Sequence, residues 1–519
     1  MTGHAERRGS AHHRGDGRSD GSGNRSGGHR GRRGDAHRRN RRGDDRRRFR
    51  EPKVDDARLI SLQVLTKVRE DDAYANLVLP GLLDRADLGR RDAGFATTLT
   101  YGTLRLQGRY DAIIAHCVDR PLRQVDDVVL DILRLGAHQL LGMRVPSHAA
   151  VSSTVDLAAC AAGRGAATFV NAVLRRVSER DLDGWLAILR AEAPDATTAL
   201  AAIESHPIWV VKAMRQALLA NNRSEDELGP LLQADNAEPE VVLCARPGMA
   251  SPEGLAKEAE AATRREPRSG NLSPCAVVLT GGDPGRIRAV RDARAGVEDE
   301  GSQLVALMLA DAPIEGRDER WLDLCAGPGG KAALLGARAV QRGARLVANE
   351  VAPHRARLVE ASVHALPPGA VEVTCNDGRV VGRDEPGRYD RILVDAPCSG
   401  LGSLRRRPEA RWRREPKDVT ELAALQRELL ASALAAVRPG GVVAYTTCSP
   451  HVLETEYVVR DVIKRLQGDG GRIEILHAGD VATRIAPHPP AGADREMLQL
   501  WPHLECADAM FCALLRRIS

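Results

Sequence analysis

Two cysteines begin short loops that leave apolar runs. One is Cys398, in Val394-Asp395-Ala396-Pro397-Cys398-Ser399-Gly400, and the other is Cys448, in Tyr445-Thr446-Thr447-Cys448-Ser449-Pro450. Each run reads as a buried strand, so both thiols fall at strand carboxyl ends, where open α/β sheets bind their ligands. A buried cysteine is usually a small inert hydrophobe, which serves for Cys117 or Cys512 but explains poorly two thiols on one functional edge. The chemistry that suits such a pair is methylation of cytosine at carbon 5. That carbon is too weak a nucleophile to take a sulfonium methyl group directly. A thiolate adding at carbon 6 makes carbon 5 enamine-like. The reaction then requires an acid near N3 and a base for the C5 proton. Asp395 supplies a carboxyl, which has to be protonated or share a proton with N3. A free thiol has a pKa near ~8.5, so the nucleophile needs activation. Lys331 is the nearest cation in motif terms. It stands in the first turn of a helix, where the dipole disfavours a cation, which argues for a role beyond solvation. Chemistry alone leaves open which of Cys398 and Cys448 attacks.

A cofactor site precedes these loops. Trp321–Leu324 reads as a strand that enters Asp323-Leu324-Cys325-Ala326-Gly327-Pro328-Gly329-Gly330-Lys331. Glycines at a strand-to-helix turn let the backbone approach a ligand, and the following helix presents free N–H groups. The turn is not a phosphate loop, because Ala332 follows the lysine where Ser or Thr would hold magnesium. It is not a dinucleotide fingerprint either, because a third glycine is missing. The next strand ends at Glu350, a distance that suits a carboxylate accepting ribose hydroxyls. The third ends at Asn376-Asp377, where Asp377 suits the exocyclic amine of adenine. One such acid would read as a helix cap; two in strand order favour a nucleoside cofactor.

These residues need a scaffold. From residue 301 onward strands alternate with glycine turns and helices: Trp321–Leu324, Leu346–Asn349, Val371–Thr374, Arg391–Val394 and Val442–Tyr445, with a long helix over Val419–Val437. That alternation predicts a mostly parallel sheet with helices on both faces, and Met510–Leu515 adds a last antiparallel strand. Residues 55–190 carry helical spacing instead, as in Ile60, Val64, Leu65 and Val68 behind Asp55 and Asp56, and again over Asp126–Leu141 and Phe169–Val177. Between them, 200–300 reads as a helical linker (His206–Leu219) and a small α+β subdomain with strands at Val241–Cys244 and Cys275–Leu279 around a helix at Pro252–Thr263.

Composition bounds the rest. The net charge of +5 is uneven, for residues 1–50 hold 16 arginines against six acids and leave the remainder net acidic. Residues 1–52 are Arg/Gly-rich and short of apolar side chains, and are expected to be disordered. Ten cysteines contain no C-x-x-C pair, so no metal site is expected. The polar beginning carries no secretory signal and no apolar run reaches membrane length, so a cytoplasmic protein with reduced thiols is expected, with no membrane partner.

Three motifs together, Asp323 to Lys331, Asp395 to Gly400 and Thr447-Cys448-Ser449, resemble the Nol/Nop/Sun (RsmB-type) RNA cytosine-5 methyltransferases. Val297-Glu298-Asp299-Glu300-Gly301-Ser302-Gln303 looks like the stretch before the cofactor motif in that family. Asn171-Ala172-Val173-Leu174-Arg175-Arg176 and the helices before it look like a NusB-type RNA-binding domain. The resemblance spans roughly 55–519. It implies a Rossmann-like class I methyltransferase domain behind an all-α NusB-like domain, S-adenosyl-L-methionine as cofactor, and a monomer acting on 16S rRNA, at cytosine 967. It implies that Cys325, Ala326, Gly327, Pro328, Gly329, Gly330, Lys331, Glu350, Asp377 and Asp395 line the cofactor pocket, that Cys448 is the nucleophile, and that Cys398 assists release. A transfer-RNA cytosine-5 methyltransferase is the alternative enzyme, which the NusB-like segment disfavours. A non-catalytic antitermination factor is the alternative outside enzymes, which the two intact cysteines disfavour.

Three departures stand out. Gly327 replaces a common alanine and should be tolerated there. Leu401 replaces a common threonine, which would alter a substrate contact. Glu454-Thr455-Glu456 departs from the usual Glu-Asn-Glu and receives no role. Arg405, Arg406, Arg407, Arg411, Arg413 and Arg414 surround Trp412 just after the Pro-Cys loop. They suit phosphate contacts and base stacking, or else a solvated basic loop. A thiol reaches C6 only if the target base is unstacked.

Overall fold

The computed structural model describes residues 54–468 and 470–519; the expectation for the Arg/Gly-rich segment 1–52 lies outside them. The chain enters a run of helices from Asp56–Glu70 to Leu228–Asn236. Asp55 caps the first by accepting from the Arg58 amide at 3.0 Å, and Asp126 caps Asp127–Leu141 through the Val128 and Val129 amides. Such side-chain oxygens satisfy the free N–H groups of a first turn. The Ile132, Leu133 and Leu174 side chains are wholly buried in the shared core. Gly136 is what allows Asp127–Leu141 to lie against Gly163–Val177, since a Cβ there would meet the Leu174 side chain at 2.6 Å.

Four short strands follow: β1 (Val241–Ala245), β2 (Arg268–Ser269), β3 (Ala276–Leu279) and β4 (Ala295–Val297). They form an antiparallel sheet in the order β2-β3-β1-β4, with helix Pro252–Thr263, capped by Ser251, packed on one face.

The remaining strands are β5 (Arg320–Asp323), β6 (Arg345–Asn349), β7 (Val371–Thr374), β8 (Tyr389–Asp395), β9 (Val437–Thr447), β10 (Ile473–Leu476), β11 (Leu498–Gln499) and β12 (Phe511–Arg517). They are ordered β10-β12-β9-β8-β5-β6-β7, with β11 beside β12. β5 to β9 are mutually parallel, and β12 runs antiparallel to β9, as the sequence pattern predicts. Strand side chains alternate faces, and here both faces are apolar. Trp321, Leu393, Val442 and Ala444 join one core; Leu322, Ile392, Val394, Val443 and Tyr445 join the opposite one. That is the composition of a sheet covered by helices on both sides. The chain proceeds outward from β5 through β6 to β7, then returns to the other side of β5 for β8 and β9. The order therefore reverses between β5 and β8, and a crevice opens at their carboxyl ends. Among the described residues no helix is long and apolar enough to cross a membrane.

Candidate active site

Asp323 ends β5 and Asp395 ends β8, so the reversal brings the glycine turn and the Pro-Cys loop together. β9 lies beside β8 and delivers the second cysteine. Sγ of Cys398 stands 3.5 Å from Sγ of Cys448, although fifty residues separate them. Both thiols are partly exposed. They line a cleft of about 670 Å³ with Cys325, Gly327, Pro328, Asp395 and Arg407. Lys331 reaches up from the helix that follows the turn. Its Nζ lies 3.0 Å from Asp395 Oδ2 and donates to Ser302 Oγ at 3.1 Å. Burial works against the Lys331 charge, but the Asp395 and Glu298 carboxylates override it and hold the ammonium ion well above its ordinary pKa.

The two thiols titrate as a pair. The hydrogen bond from Cys398 holds Cys448 below the ordinary thiol range. Burial opposes this, and Lys331 and Arg407 assist it. The same hydrogen bond, with burial, pushes Cys398 up. A thiolate on Cys448 and a neutral thiol on Cys398 is the arrangement this hydrogen bond favours, against burial and the Asp395 carboxylate.

Other expected cofactor residues divide. Ala326 is buried beneath the turn. Gly329 is left-handed, with φ of 113°, and a Cβ on it would meet the Ser362 side chain at 2.7 Å, so glycine is required twice over. Gly330 begins the helix and packs near Glu298. Glu350 lies against the turn: it accepts from the Gly327 amide at 3.1 Å and the Ala352 amide at 3.0 Å, and pairs with Arg355. A Cβ on Gly327 would come 2.3 Å from Glu350 Oε2. The glycine expected to be tolerated there leaves room for this carboxylate against the turn. Asp377 is not with the cysteines. It lines a separate cavity of about 290 Å³ under the ends of β6 and β7, and Arg379 binds it in a fork, with Nη2 to Oδ2 at 2.7 Å.

Three acids carry more than the sequence suggested. Both Asp323 oxygens and Oε1 of Glu298 are buried without a hydrogen-bond partner among the described residues. Burial pushes Asp323 up to about 8 and Glu298 up to about 7. Unpaired buried carboxyls beside a glycine turn fit a ligand with an ammonium or sulfonium charge, and S-adenosylmethionine carries both. Glu454 is wholly buried beneath the two cysteine loops. It accepts from the Ser399 amide at 2.7 Å, from the Ser399 and Ser449 hydroxyls, and from Gln426 Nε2 at 3.2 Å. One carboxylate thus ties both loops, and the departure in Glu454-Thr455-Glu456 does not touch it. Its signal in the sequence was weak, because its partners lie 5, 28 and 55 residues away. Glu454→Ala strands three of these donors and should cost on the order of 3 kcal/mol of stability, read as a lower midpoint in urea unfolding.

The arginine segment is mostly structural, which corrects half of the reading from sequence. Arg405 and Arg406 pair with Asp299 and Asp508. Arg411 is buried and donates to the Arg105, Ser205 and Asp235 carbonyls and the Asn236 side chain. Arg413 donates to the Val68, Asp72 and Ala73 carbonyls. Trp412 is 37% exposed at the rim of the cleft. Leu401 is wholly buried with Val210 and Trp501, so the altered substrate contact expected of it is not found.

A mixed, mostly parallel sheet with a glycine turn and a nucleoside-sized crevice at its reversal point defines a class I methyltransferase. Comparison with known proteins agrees. Residues 308–516 match the family model for the 16S rRNA methyltransferases RsmB/F, and 55–179 match that of the NusB family. A putative methyltransferase of Mycobacterium tuberculosis is 48% identical over 467 residues, covering 90% of this chain and 97% of the relative. The ribosomal RNA small subunit methyltransferase B of Pseudomonas putida is 31% identical over 79% of this chain and 89% of its own length. The solved structure of PH0851 shares the fold, with a TM-score of 0.72 at 20% identity over 90% of this chain and all of its own. The chain belongs to the RsmB/F family of S-adenosylmethionine-dependent rRNA methyltransferases.

Proposed function

We propose that this chain methylates carbon 5 of a cytosine in 16S rRNA, with cytosine 967 as the expected position, through a covalent bond between Cys448 and C6. The observation that carries the reading is the pair of thiols 3.5 Å apart beside the Lys331–Asp395 pair at 3.0 Å. The division of labour proposed is RNA docking by 55–190, a linker and small α+β subdomain over 200–300, and chemistry in 301–519. The relatives' names support the RNA class. S-adenosylmethionine, when bound, supplies an electrophilic methyl group to carbon 5, and the turn from Cys325 to Lys331 with Asp323, Glu350 and Asp395 would hold it.

The chain's own groups do the rest. The Cys448 thiolate forms the S–C6 bond and sends the ring electrons towards C5. The Lys331–Asp395 pair hands N3 a proton as negative charge develops there, and takes it back when the ring is restored. After methylation the C5 proton leaves to a base, its electrons restore the ring, and the C6–S bond breaks to free Cys448. Bisulfite sequencing of small-subunit RNA after incubation with the enzyme and S-adenosylmethionine should show one protected cytosine. No protection at any cytosine refutes the reading.

Lys331 should tune the nucleophile. Below its pKa Cys448 is a thiol and inactive, so turnover rises with pH and levels once the thiolate forms. Lys331→Met removes the ammonium ion and raises the thiol, which should move the acid limb of kcat upward by ~1 pH unit at saturating cofactor. An unmoved limb would take thiol activation away from Lys331.

A further inference from the structure

Two arginines of the segment after Cys398, Arg407 and Arg414, are left over at the cleft, and Arg407 is the one that lies on an aromatic ring. Arg405, Arg406, Arg411 and Arg413 are each held by acceptors within the protein. Arg407 is exposed at the cleft that holds both thiols. Among the described residues its guanidinium group has a ring contact but no hydrogen bond or ion pair. That contact is Tyr74, whose ring centroid lies 5.5 Å from Arg407 Cζ and 5.0 Å from Arg413 Cζ. Tyr74 belongs to the helical domain. The chain around it is pinned to the catalytic loop: the Ala75 amide donates to Glu409 Oε1 at 3.1 Å, and Arg413 donates to the Asp72 carbonyl at 2.8 Å and the Val68 carbonyl at 2.9 Å. The ring is therefore a fixed platform from one domain beneath a free cation of the other. An arginine held on a ring keeps its planar fork of donors pointing outward with little entropy left to lose.

Building on the RNA methylation proposed above, the geometry points to Tyr74 and Arg407 as a joint anchor for a backbone phosphate of the RNA at or next to the target cytosine. An anion is what such a fork lacks, and phosphate matches it. The consequence is that the helical domain builds part of the catalytic cleft as well as binding RNA elsewhere.

The test uses the full chain with Arg407→Gln, Arg407→Lys and Tyr74→Leu. With S-adenosylmethionine saturating, Arg407→Gln should raise KM for RNA about tenfold. One lost phosphate contact should lower the slope of log affinity against log salt by roughly 0.7–0.9. Arg407→Lys should restore the slope but only part of the affinity, and Tyr74→Leu should weaken RNA binding in the same direction. Affinity is measured by filter binding without turnover, so its outcome stands whether or not carbon 5 proves to be the methylated atom. The anchor is refuted if Arg407→Gln leaves RNA affinity and salt slope unchanged. It is also refuted if KM for S-adenosylmethionine rises instead, which would make the bound anion the cofactor's carboxylate. A shift only in the pH profile of kcat would refute it too, assigning Arg407 to the Cys448 thiolate.

Discussion

Cys448→Ala should lower methyl transfer by ~10⁴-fold or more, the scale on which loss of a covalent nucleophile is felt, while binding of S-adenosylmethionine is retained. The reason is chemical: without sulfur at C6, carbon 5 has no electron pair to offer. The variant changes little else. Cys448 is only partly buried, its carbonyl still accepts from the Gly402 amide at 2.9 Å, and the Glu454 clasp involves its neighbours Ser399 and Ser449. Fold and cofactor pocket should therefore survive, which titration of S-adenosylmethionine by calorimetry would verify. A variant that still methylates at the wild-type rate would show that another group attacks the ring.

Cys398→Ala should fail differently. The methylated RNA should stay attached, giving a protein–RNA band that survives denaturing electrophoresis and grows in proportion to enzyme, with turnover reduced ~10²–10⁴-fold. While both thiols are free, the hydrogen bond to Cys448 and burial hold Cys398 up as the neutral partner. Once Cys448 is bonded to carbon, its charge and hydrogen bond no longer hold Cys398 up, and only burial and Glu454 still raise Cys398. Its sulfur, 3.5 Å from the nucleophile, is then placed to take the C5 proton and let the C6–S bond break. If no adduct forms in Cys398→Ala and turnover stays normal, release belongs to another base.

Much of this was legible in the chain. Strands announce themselves by short apolar runs ended by glycine, and the run Asp323 to Lys331 contains every residue of its turn consecutively. Asp395 with Cys398, and Thr447 with Cys448, could each be located at a strand's carboxyl end by the same local reasoning. The capping acid Asp55 was readable because a cap and its amides lie within three residues. The arginine segment was misread in part because charge in a sequence looks alike whether it faces water or a carbonyl. Arg411 meets the Arg105 carbonyl 306 residues away, and Arg413 meets Val68 345 residues away.

Sequence alone determined the chemistry on offer: thiols, a carboxylate, a lysine and a glycine turn, each at a strand end of a parallel sheet, because all of these follow from side-chain type and short-range periodicity. Tertiary structure decided which of them meet. Strand order set β8 between β5 and β9, and that adjacency alone puts two sulfurs in contact, draws Lys331 onto Asp395 and leaves Asp377 in a cavity of its own. It also made Glu454 the clasp of both loops and set the Arg407 fork on the Tyr74 ring at the cleft. Those outcomes depend on distances in space between residues far apart in the chain, which no local pattern encodes.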